Sequence, residues 1–347
     1  MKLLEVKDLR TVFNTRKGSF YAADGISYVV KEGKTLGLVG ESGSGKSVSS
    51  MSVLRLLDKN GRIESGEILF YDGDKVTDLA KLTEEEMRLV RGNKISVIFQ
   101  EPMTALNPVF TIGRQLKEPF LIHRKMSKKE VEQEALKLLS LVRIPNPERV
   151  FSAYPHQLSG GMRQRVMIAM ALACNPKLLI ADEPTTALDV TIQAEILRLM
   201  KSLQKEQGMA IMFITHDLGV IREMADEVAV IYAGRVVEFC PAERIFQKDG
   251  MGHPYTEGLL ASLPKNYKTA GAGMRRLETI PGSPPTPTEK ITGCKFAPRC
   301  RYRTEKCTLA ESPMFLVDER QSVRCYYPDK EKRKHGNYAD NADGQRP

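Results

Sequence analysis

The sequence predicts an α/β protein built around a parallel β-sheet, and two segments carry that prediction. Residues 35–54, TLGLVGESGSGKSVSSMSVL, are predicted to form a buried strand, a glycine-rich loop and a helix. Residues 177–183, KLLIADE, are predicted to form a second buried strand that ends in two acids. Continuous apolar runs are typical of strands covered on both faces of a parallel sheet. Ligands of open α/β sheets bind beyond the carboxyl ends of the strands, so both segments should end at one site.

The loop after the first strand has the spacing Gly-x4-Gly-Lys-Ser, which binds phosphate in a strand–loop–helix setting. Glycines let backbone N–H groups turn inward to form a concave anion site, and the helix adds the positive end of its dipole. We expect Lys46 to reach the β- and γ-phosphates of a nucleotide and the Ser47 hydroxyl to ligate Mg²⁺. The predicted nucleotide-binding residues of the loop are Gly40, Glu41, Ser42, Gly43, Ser44, Gly45, Lys46, Ser47 and Val48.

The two acids after the second strand lie where its carboxyl end is expected. Asp182 is predicted to hold Mg²⁺, and Glu183 is predicted to polarise an attacking water. A solvent-facing acidic turn is the alternative for an isolated pair. The phosphate loop upstream favours the catalytic interpretation.

A second candidate anion site lies at residues 158–161, Leu-Ser-Gly-Gly, directly before a helical pattern. Two glycines at the start of a helix expose backbone N–H groups, and Ser159 adds a hydroxyl. One nucleotide does not need two phosphate sites in one chain. The second site is therefore predicted to serve a nucleotide held by another subunit.

The segments GESGSGKS, LSGGM, LLIADE, TALD and ITHD follow one another in the chain. In this order they resemble the ATP-binding cassette (ABC) ATPases, and the resemblance covers about residues 1–240. It implies a P-loop NTPase cassette with a RecA-like parallel sheet, an antiparallel β part and a helical subdomain. It also implies hydrolysis of ATP to ADP and phosphate with Mg²⁺.

The resemblance assigns catalytic roles to Glu183, Gln100 and His216. Gln100 ends the apolar segment ISVIFQ and matches the Q-loop glutamine, which approaches Mg²⁺ and the water and whose loop faces the transport subunit. His216 follows the segment AIMFIT and matches the switch histidine. It would contact the γ-phosphate and hold Glu183 and the water in line.

The resemblance also implies contacts outside the phosphate loop. Ser159, Gly160 and Gly161 would contact the γ-phosphate of the opposing subunit's ATP, and Asp189 would lie at the dimer seam. Phe13 occupies the usual position of the aromatic residue that stacks on adenine. A core phenylalanine is the alternative for Phe13, and Phe20 and Tyr21 are the other candidates for the stacking role.

The predicted organisation has three parts. Residues 1–240 form the cassette, with a helical subdomain at about 101–160 and a hairpin that turns at Ala233–Gly234. Residues 241–328 form a cysteine-containing C-terminal extension, and 329–347 are predicted to be a disordered tail because they are polar and charged.

Several longer segments, among them residues 154–197 and GHPYTEGLLASLP at 252–264, closely resemble the ATPases of dipeptide and oligopeptide importers. This resemblance implies two membrane permeases, a second ABC ATPase subunit and, indirectly, an extracytoplasmic peptide-binding protein as partners. Nickel importers share most of these segments and remain an alternative. Soluble ABC ATPases that act on nucleic acid or ribosomes fit less well, because the helical insertion lacks sustained heptads and the chain has one cassette. We therefore expect no nucleic-acid partner.

Composition sets the expected location. No apolar run approaches the ~20 residues that span a bilayer, and the N-terminus does not resemble a signal peptide. The net charge of +9 favours an acidic partner, although solvated lysines are the alternative. We expect the chain at the cytoplasmic face of the cell membrane, held there by the permeases.

The cysteines of the extension have the spacing C-x5-C-x6-C-x17-C, formed by Cys294, Cys300, Cys307 and Cys325. Four clustered thiols in a cytoplasmic protein favour a metal over disulfides. Zinc usually takes paired CxxC motifs, which are missing here, and four thiolates also suit an iron–sulfur cluster.

Some members of the importer group carry a [4Fe–4S] cluster in this region. We therefore predict a [4Fe–4S] cluster, with zinc as the alternative. The basic neighbours Lys295, Arg299, Arg301 and Arg303 are expected to favour the thiolate form. Cys174 and Cys240 are expected to be core residues.

Overall fold

In the computed structural model of the chain, residues 1–16, 18–100, 105–186, 188–247, 250–263 and 279–334 are described. The strands are β1 (Lys2–Thr15), β2 (Gly18–Lys31), β3 (Thr35–Val39), β4 (Gly61–Asp72), β5 (Lys75–Asp78), β6 (Ile95–Ile98), β7 (Leu178–Asp182), β8 (Ala210–Thr215), β9 (Glu227–Tyr232), β10 (Arg235–Pro241), β11 (Phe315–Asp318) and β12 (Gln321–Val323). They form a four-stranded sheet of order β2-β1-β4-β5 and an eight-stranded sheet of order β11-β12-β10-β9-β3-β8-β7-β6.

The parallel strands of the large sheet are buried, as their apolar sequences predict. Every residue of β3, β7 and β8 is buried. Strand β3 pairs in parallel with β8 and β9, and β7 pairs in parallel with β6 and β8. The carboxyl ends of these strands lie at one edge of the sheet, so the glycine-rich loop and the two acids meet there.

The antiparallel part is also confirmed. Strand β1 pairs antiparallel with β2 and β4, which contain the segments ISYVV and SGEILFYDG. Strands β9 and β10 form the predicted hairpin. Its turn residues Ala233 and Gly234 have φ angles of 46° and 81°, and this left-handed conformation matches the twist of a two-residue hairpin.

The helices are α1 (Lys46–Val53), α2 (Glu84–Val90), α3 (Ile112–His123), α4 (Lys128–Leu141), α5 (Pro147–Ser152), α6 (Gly160–Leu172), α7 (Val190–Gln207), α8 (Leu218–Met224), α9 (Ala242–Ile245), α10 (Pro254–Ala261), α11 (Glu305–Leu309) and α12 (Lys330–Lys334). Helices α3 to α5 pack against α6 in one hydrophobic cluster. Side-chain caps at Thr111 and Ser127 begin α3 and α4. Residues 101–104, the start of the predicted helical subdomain, lie outside the described residues. Across the described ranges, no helix is long and apolar enough to cross a membrane.

The C-terminal part of the chain continues the large sheet. Strand β12 pairs antiparallel with β10, and β11 pairs with β12. Helix α12 (Lys330–Lys334) lies within the tail 329–347 that we predicted to be disordered, so the prediction is wrong for these five residues. Arg333 is buried in this region. Its guanidinium pairs with Glu257 and donates to the Gly252 carbonyl oxygen, and these contacts compensate the burial of the charge. Residues 335–347 of the predicted tail lie outside the described residues.

Candidate functional site

The glycine-rich loop wraps tightly between β3 and α1. Gly45 has a φ of 102°, and a Cβ atom there would lie 2.2 Å from the carbonyl oxygen of Ala22. A Cβ atom at Gly40 would lie 2.1 Å from the carbonyl oxygen of Ile231. These two glycines are therefore required by close backbone approach, which keeps the loop compact over the sheet edge.

The side chains of the loop fit a phosphate ligand. Lys46 is buried, and its ammonium donates to the carbonyl oxygens of Gly40 at 2.8 Å and Glu41 at 2.9 Å. Burial lowers the pKa of Lys46, an effect that Glu183 and Asp182 oppose. The Ser44 hydroxyl is buried and has no hydrogen-bond partner among the described residues. A buried hydroxyl without a partner costs stability, and a phosphate oxygen would supply that partner.

Ser47 and Asp182 meet at the carboxyl end of β7. The Ser47 hydroxyl donates to Asp182 Oδ1 at 3.0 Å. Asp182 is buried, and this burial raises its pKa although the bond from Ser47 opposes the shift. Mg²⁺ prefers hard oxygen ligands, and a cation here would offset the burial of the carboxylate. The hydroxyl and the carboxylate therefore fit Mg²⁺.

The three predicted catalytic side chains are adjacent. The Gln100 side-chain amide donates to Glu183 Oε2 at 3.1 Å, and His216 Nδ1 lies 3.1 Å from Glu183 Oε1. Thr186, which the sequence analysis missed, donates its hydroxyl to Glu183 Oε2 at 3.0 Å. Glu183 itself has a left-handed φ of 44°. The arrangement fixes a carboxylate beside three polar side chains, which suits a base that orients water.

The predicted adenine-stacking residues lie in the four-stranded sheet. Phe13 is half-buried and stacks on Phe20, with ring centroids 5.8 Å apart and planes 16° apart. Its ring also covers Gly61, where a Cβ atom would lie 2.6 Å from it. Tyr21 is exposed and donates to the carboxylate of Glu64. The stacking role of Phe13 stays a prediction.

The second candidate anion site lies beside the start of α7. Ser159 caps α6 by accepting from the Met162 N–H at 3.3 Å, and Asp189 caps α7 by accepting from the Ile192 N–H at 3.0 Å. A Cβ atom at Gly161 would lie 2.9 Å from the Ile192 side chain, so the two helix starts are adjacent. Ser159, Gly160 and Asp189 are exposed. They form an open surface.

Two contacts from the C-terminal extension reach the glycine-rich loop, and the sequence analysis missed both. The Tyr255 hydroxyl accepts a hydrogen bond from the Glu41 N–H at 2.8 Å. The Arg299 guanidinium donates to both carboxylate oxygens of Glu41, at 2.7 and 2.9 Å. Tyr255 lies in the segment GHPYTEG, which marked it as notable, but nothing distinguished Arg299 from the other arginines nearby.

The four cysteines of the extension line one cavity of about 20 Å³. The Cys294 N–H donates to the Cys307 carbonyl oxygen at 2.8 Å, which joins two of the four positions. The described residues contain no group of three or more His, Cys, Asp or Glu side chains placed to hold a metal ion. Four thiols are a donor set that suits a soft metal, although the described positions form no such metal-ion group. Cys174 and Cys240 are buried, as predicted.

The expected stabilisation of thiolates by basic neighbours is wrong for this structure. Burial raises the pKa of Cys294, that of Cys300 to about 11 and that of Cys325 to about 12. Lys295 donates instead to Asp24 at 3.1 Å, and Arg299 pairs with Glu41. Lys295 and Arg299, which lie next to cysteines in the sequence, therefore pair with carboxylates elsewhere in the fold.

Comparisons with known proteins agree with this geometry. The chain matches the ABC transporter family over residues 23–186 and the C-terminal region of oligopeptide/dipeptide transporters over residues 237–307. It is 50% identical to a putative peptide import ATP-binding protein of Brucella ovis, across 93% of this chain and 96% of that protein. It is 48% identical to the oligopeptide transport ATP-binding protein AppD of Bacillus subtilis, across 95% and 98%.

A solved ATP-binding cassette has a similar fold. The ATP-binding cassette MJ0796, a dimer in a post-hydrolysis state bound to ADP and Pi, is 29% identical with a TM-score of 0.61. The match covers 69% of this chain and 98% of that one. With the glycine-rich loop, the paired acids and both family matches in place, this chain is an ATPase of the ABC transporter family, in the group that carries the oligopeptide/dipeptide transporter C-terminal region.

Proposed function

We propose that this chain is the ATP-hydrolysing subunit of an importer that takes up dipeptides and oligopeptides through separate membrane permeases. The observation that carries the proposal is the similarity over nearly the whole chain to the ATP-binding proteins of peptide import. Residues 1–240 act as the cassette and 241–328 as the extension. A nickel or other small-solute importer is the alternative, because the sequence segments shared with that group do not separate the two.

The ATP site is assigned from the contacts of the loop and the two acids. Lys46 and the loop amides bind the β- and γ-phosphates, and Ser44 donates its free hydroxyl to a phosphate oxygen. Ser47 and Asp182 hold Mg²⁺, which neutralises phosphate charge when bound, and Gln100 approaches it.

Hydrolysis depends on Glu183 and the side chains around it. Glu183 accepts the proton of the attacking water, and His216 and Gln100 hold the carboxylate in place from both of its oxygens. His216 also reaches the γ-phosphate, and Phe13 stacks on the adenine. The contact between His216 and Glu183 supports the catalytic assignment because it places the imidazole directly beside the proposed base.

The chain acts with a second ABC ATPase subunit. The adjacent and exposed starts of α6 and α7 suit a dimer seam, and Val190 beside them is 83% exposed. In this arrangement Ser159, Gly160 and Gly161 contact the nucleotide bound to the partner, and Asp189 lies at the seam. The dimeric state of the related cassette supports the same arrangement.

The permeases dock beside the helical subdomain. A groove of about 200 Å³ lies between the end of β6 and helices α3 and α6. Phe99 lines it and is 44% exposed, and Leu121 and Ile122 on α3 are exposed. Exposed apolar side chains around a groove suit a protein partner. Docking there places the chain at the cytoplasmic face of the membrane and connects the permease to Gln100.

The four cysteines hold a [4Fe–4S] cluster. Zinc, which also takes four thiolates, is the alternative. The proposal rests on the four cysteines that line one cavity, because four cysteine thiolates are the ligand set of such a cluster. Anaerobically purified protein should contain about four irons per chain and be brown, and Cys300→Ser should lose both. One zinc per colourless chain would support the alternative, and metal-free protein would contradict both.

Transport itself is tested with the complete importer in liposomes. Vesicles that contain this chain, its partner ATPase and both permeases should accumulate labelled tripeptides when ATP and the peptide-binding protein are supplied. Lys46→Ala vesicles should not, because the lysine that binds the phosphates is gone. ATP-dependent uptake of nickel without peptide uptake would favour the alternative importer, and uptake of neither would contradict the proposal.

A further inference from the structure

The nucleotide loop is held from the far end of the chain by a buried arginine. Arg299 lies in a single 3₁₀ turn, Ala297–Arg299, and is 7% exposed. Its two terminal nitrogens donate to the two carboxylate oxygens of Glu41 at 2.7 and 2.9 Å. Forked pairs of this geometry are among the strongest protein hydrogen bonds, because the charges and the directions match together.

The pair between Arg299 and Glu41 also changes the charge of the glycine-rich loop. Glu41 is the first side chain after Gly40, so its negative charge lies in the loop that must bind polyanionic phosphates. An unpaired carboxylate there would repel the ligand. Arg299 neutralises the Glu41 carboxylate. The backbone N–H of Glu41 donates to the Tyr255 hydroxyl. The extension therefore binds both the carboxylate and the backbone N–H of Glu41.

The extension is built to keep Arg299 in position. Arg299 Nε donates to the Pro281 carbonyl oxygen at 2.9 Å, and the guanidinium lies over the ring of Tyr232. Tyr232 packs on Tyr255 and Phe296, with ring centroids 4.6 and 5.2 Å apart. Tyr232 ends β9 in the cassette, and Phe296 belongs to residues 294–307, the cysteine segment, which contains three of the four cysteines. This aromatic cluster therefore joins the cassette to the cysteine segment.

We propose that Arg299 is a positioning residue for ATP binding, which neutralises and holds Glu41 so that the phosphate loop is preorganised. Arg299 lies between Cys294 and Cys300. A well-ordered cysteine segment therefore holds Arg299 against Glu41 and so strengthens the binding of ATP by the loop. Coupling of this kind is reciprocal: ATP must stabilise the cysteine segment by the same factor by which that segment strengthens ATP binding.

A double-mutant cycle in the full chain tests the proposal, with ATP affinity measured by equilibrium binding of a fluorescent ATP analogue. Arg299→Met keeps much of the volume and removes the charge. We expect its Kd for ATP to rise about ten- to a hundredfold, the loss typical of a charged hydrogen bond. Adding Glu41→Gln removes the unpaired carboxylate and should recover at least tenfold of that loss. Arg303→Met, an exposed arginine of the same segment, is the matched control and should stay within about twofold of wild type.

Two further measurements separate positioning from general instability. In ATPase assays Arg299→Met should raise KM for ATP much more than it lowers kcat, because the catalytic side chains are untouched. In hydrogen exchange, ATP should slow exchange at residues 296–300 in wild type and not in Arg299→Met. An unchanged Kd in Arg299→Met would overturn the proposal. A double variant as weak as Arg299→Met alone would also overturn it, because the loss would then not come from the Glu41 charge.

If Arg299→Met does not fold, Arg299→Lys carries the test. A lysine keeps the charge but cannot make the forked pair, so its Kd should lie between about threefold and tenfold above wild type. A Kd equal to that of wild type would refute the positioning role.

Discussion

A buried carboxylate joins the cassette to the extension, and its removal should weaken the whole protein. Glu238 on β10 is 1% exposed. Its oxygens accept from the His253 N–H at 2.8 Å, the Thr256 hydroxyl at 2.7 Å and the Gln321 side-chain amide at 3.3 Å. Glu238→Ala leaves at least two of these donors buried without partners. Each buried donor without a partner lowers the free energy of unfolding by about 1–3 kcal/mol. The total loss is smaller than this sum, because Glu238→Ala also removes a buried charge.

We therefore expect Glu238→Ala to lower the free energy of unfolding by about 3 kcal/mol, or Tm by on the order of 5 °C. Thermal unfolding followed by circular dichroism measures this. Glu243→Ala is the matched control, because its carboxylate is 72% exposed and pairs only loosely with Arg320 at 3.8 Å. That variant should stay within about 0.5 kcal/mol of wild type. If Glu238→Ala and Glu243→Ala had the same Tm, Glu238 would not hold the cassette and the extension together.

The pH dependence of this difference has a defined sign. Burial raises the pKa of Glu238, although its hydrogen bonds oppose the shift. The folded-state pKa then lies above the unfolded value of about 4.3, so the stability that Glu238 contributes is fully present below that pH. Part of it is lost as pH rises through the folded-state pKa. The difference in Tm between wild type and Glu238→Ala should therefore be larger in acid than at neutral pH, and a larger difference at neutral pH would contradict the assigned shift.

Three further predictions concern catalysis, the seam and acid stability. Glu183→Gln should keep ATP binding and lower the rate of phosphate release about 10²–10⁴-fold, and normal hydrolysis in the assembled transporter would exclude Glu183 as the base. Ser159→Arg should leave ATP affinity of the isolated chain unchanged but block dimer closure and transport, measured by gel filtration and vesicle uptake; loss of ATP binding by the monomer would contradict the seam. Lys177 and Lys94 lower the pKa of Asp72 to about 2, so Asp72 stabilises the fold above about pH 4 and loses that contribution as pH falls towards 2. Asp72→Asn should therefore lower the free energy of unfolding by less than ~1 kcal/mol at pH 7. In urea titrations, the difference between wild type and this variant should shrink as pH falls from about 4 towards 2. A difference that grew in acid would contradict the pairing of Asp72 with the two lysines.

The parts of the fold that depend on local sequence could be predicted. The apolar runs at β3 and β7 and the glycine spacing between β3 and α1 determine strand, loop and helix within short windows. The proximity of Gln100, Glu183 and His216, the proposed catalytic side chains, could also be predicted, because each follows a parallel strand and the carboxyl ends of parallel strands share one edge.

The contacts that depend on the tertiary fold could not be predicted. Glu41 is separated from Tyr255 by 214 residues and from Arg299 by 258, and no periodic pattern connects them. The same reason explains the error about the thiols: Lys295 and Arg299 lie next to cysteines in sequence, but the fold directs their charges to Asp24 and Glu41.

The separation between Glu41 and its partners also orders events during synthesis. Arg299 is synthesised 258 residues after Glu41, and Tyr255 is synthesised 214 residues after it. Domains generally fold from the N-terminus as they are made. The glycine-rich loop can therefore form before its partners from the extension exist, and the Glu41 carboxylate of a nascent cassette has no Arg299 to pair with. With the proposed role of Arg299, the loop reaches its full affinity for ATP only after the extension has been synthesised and folded.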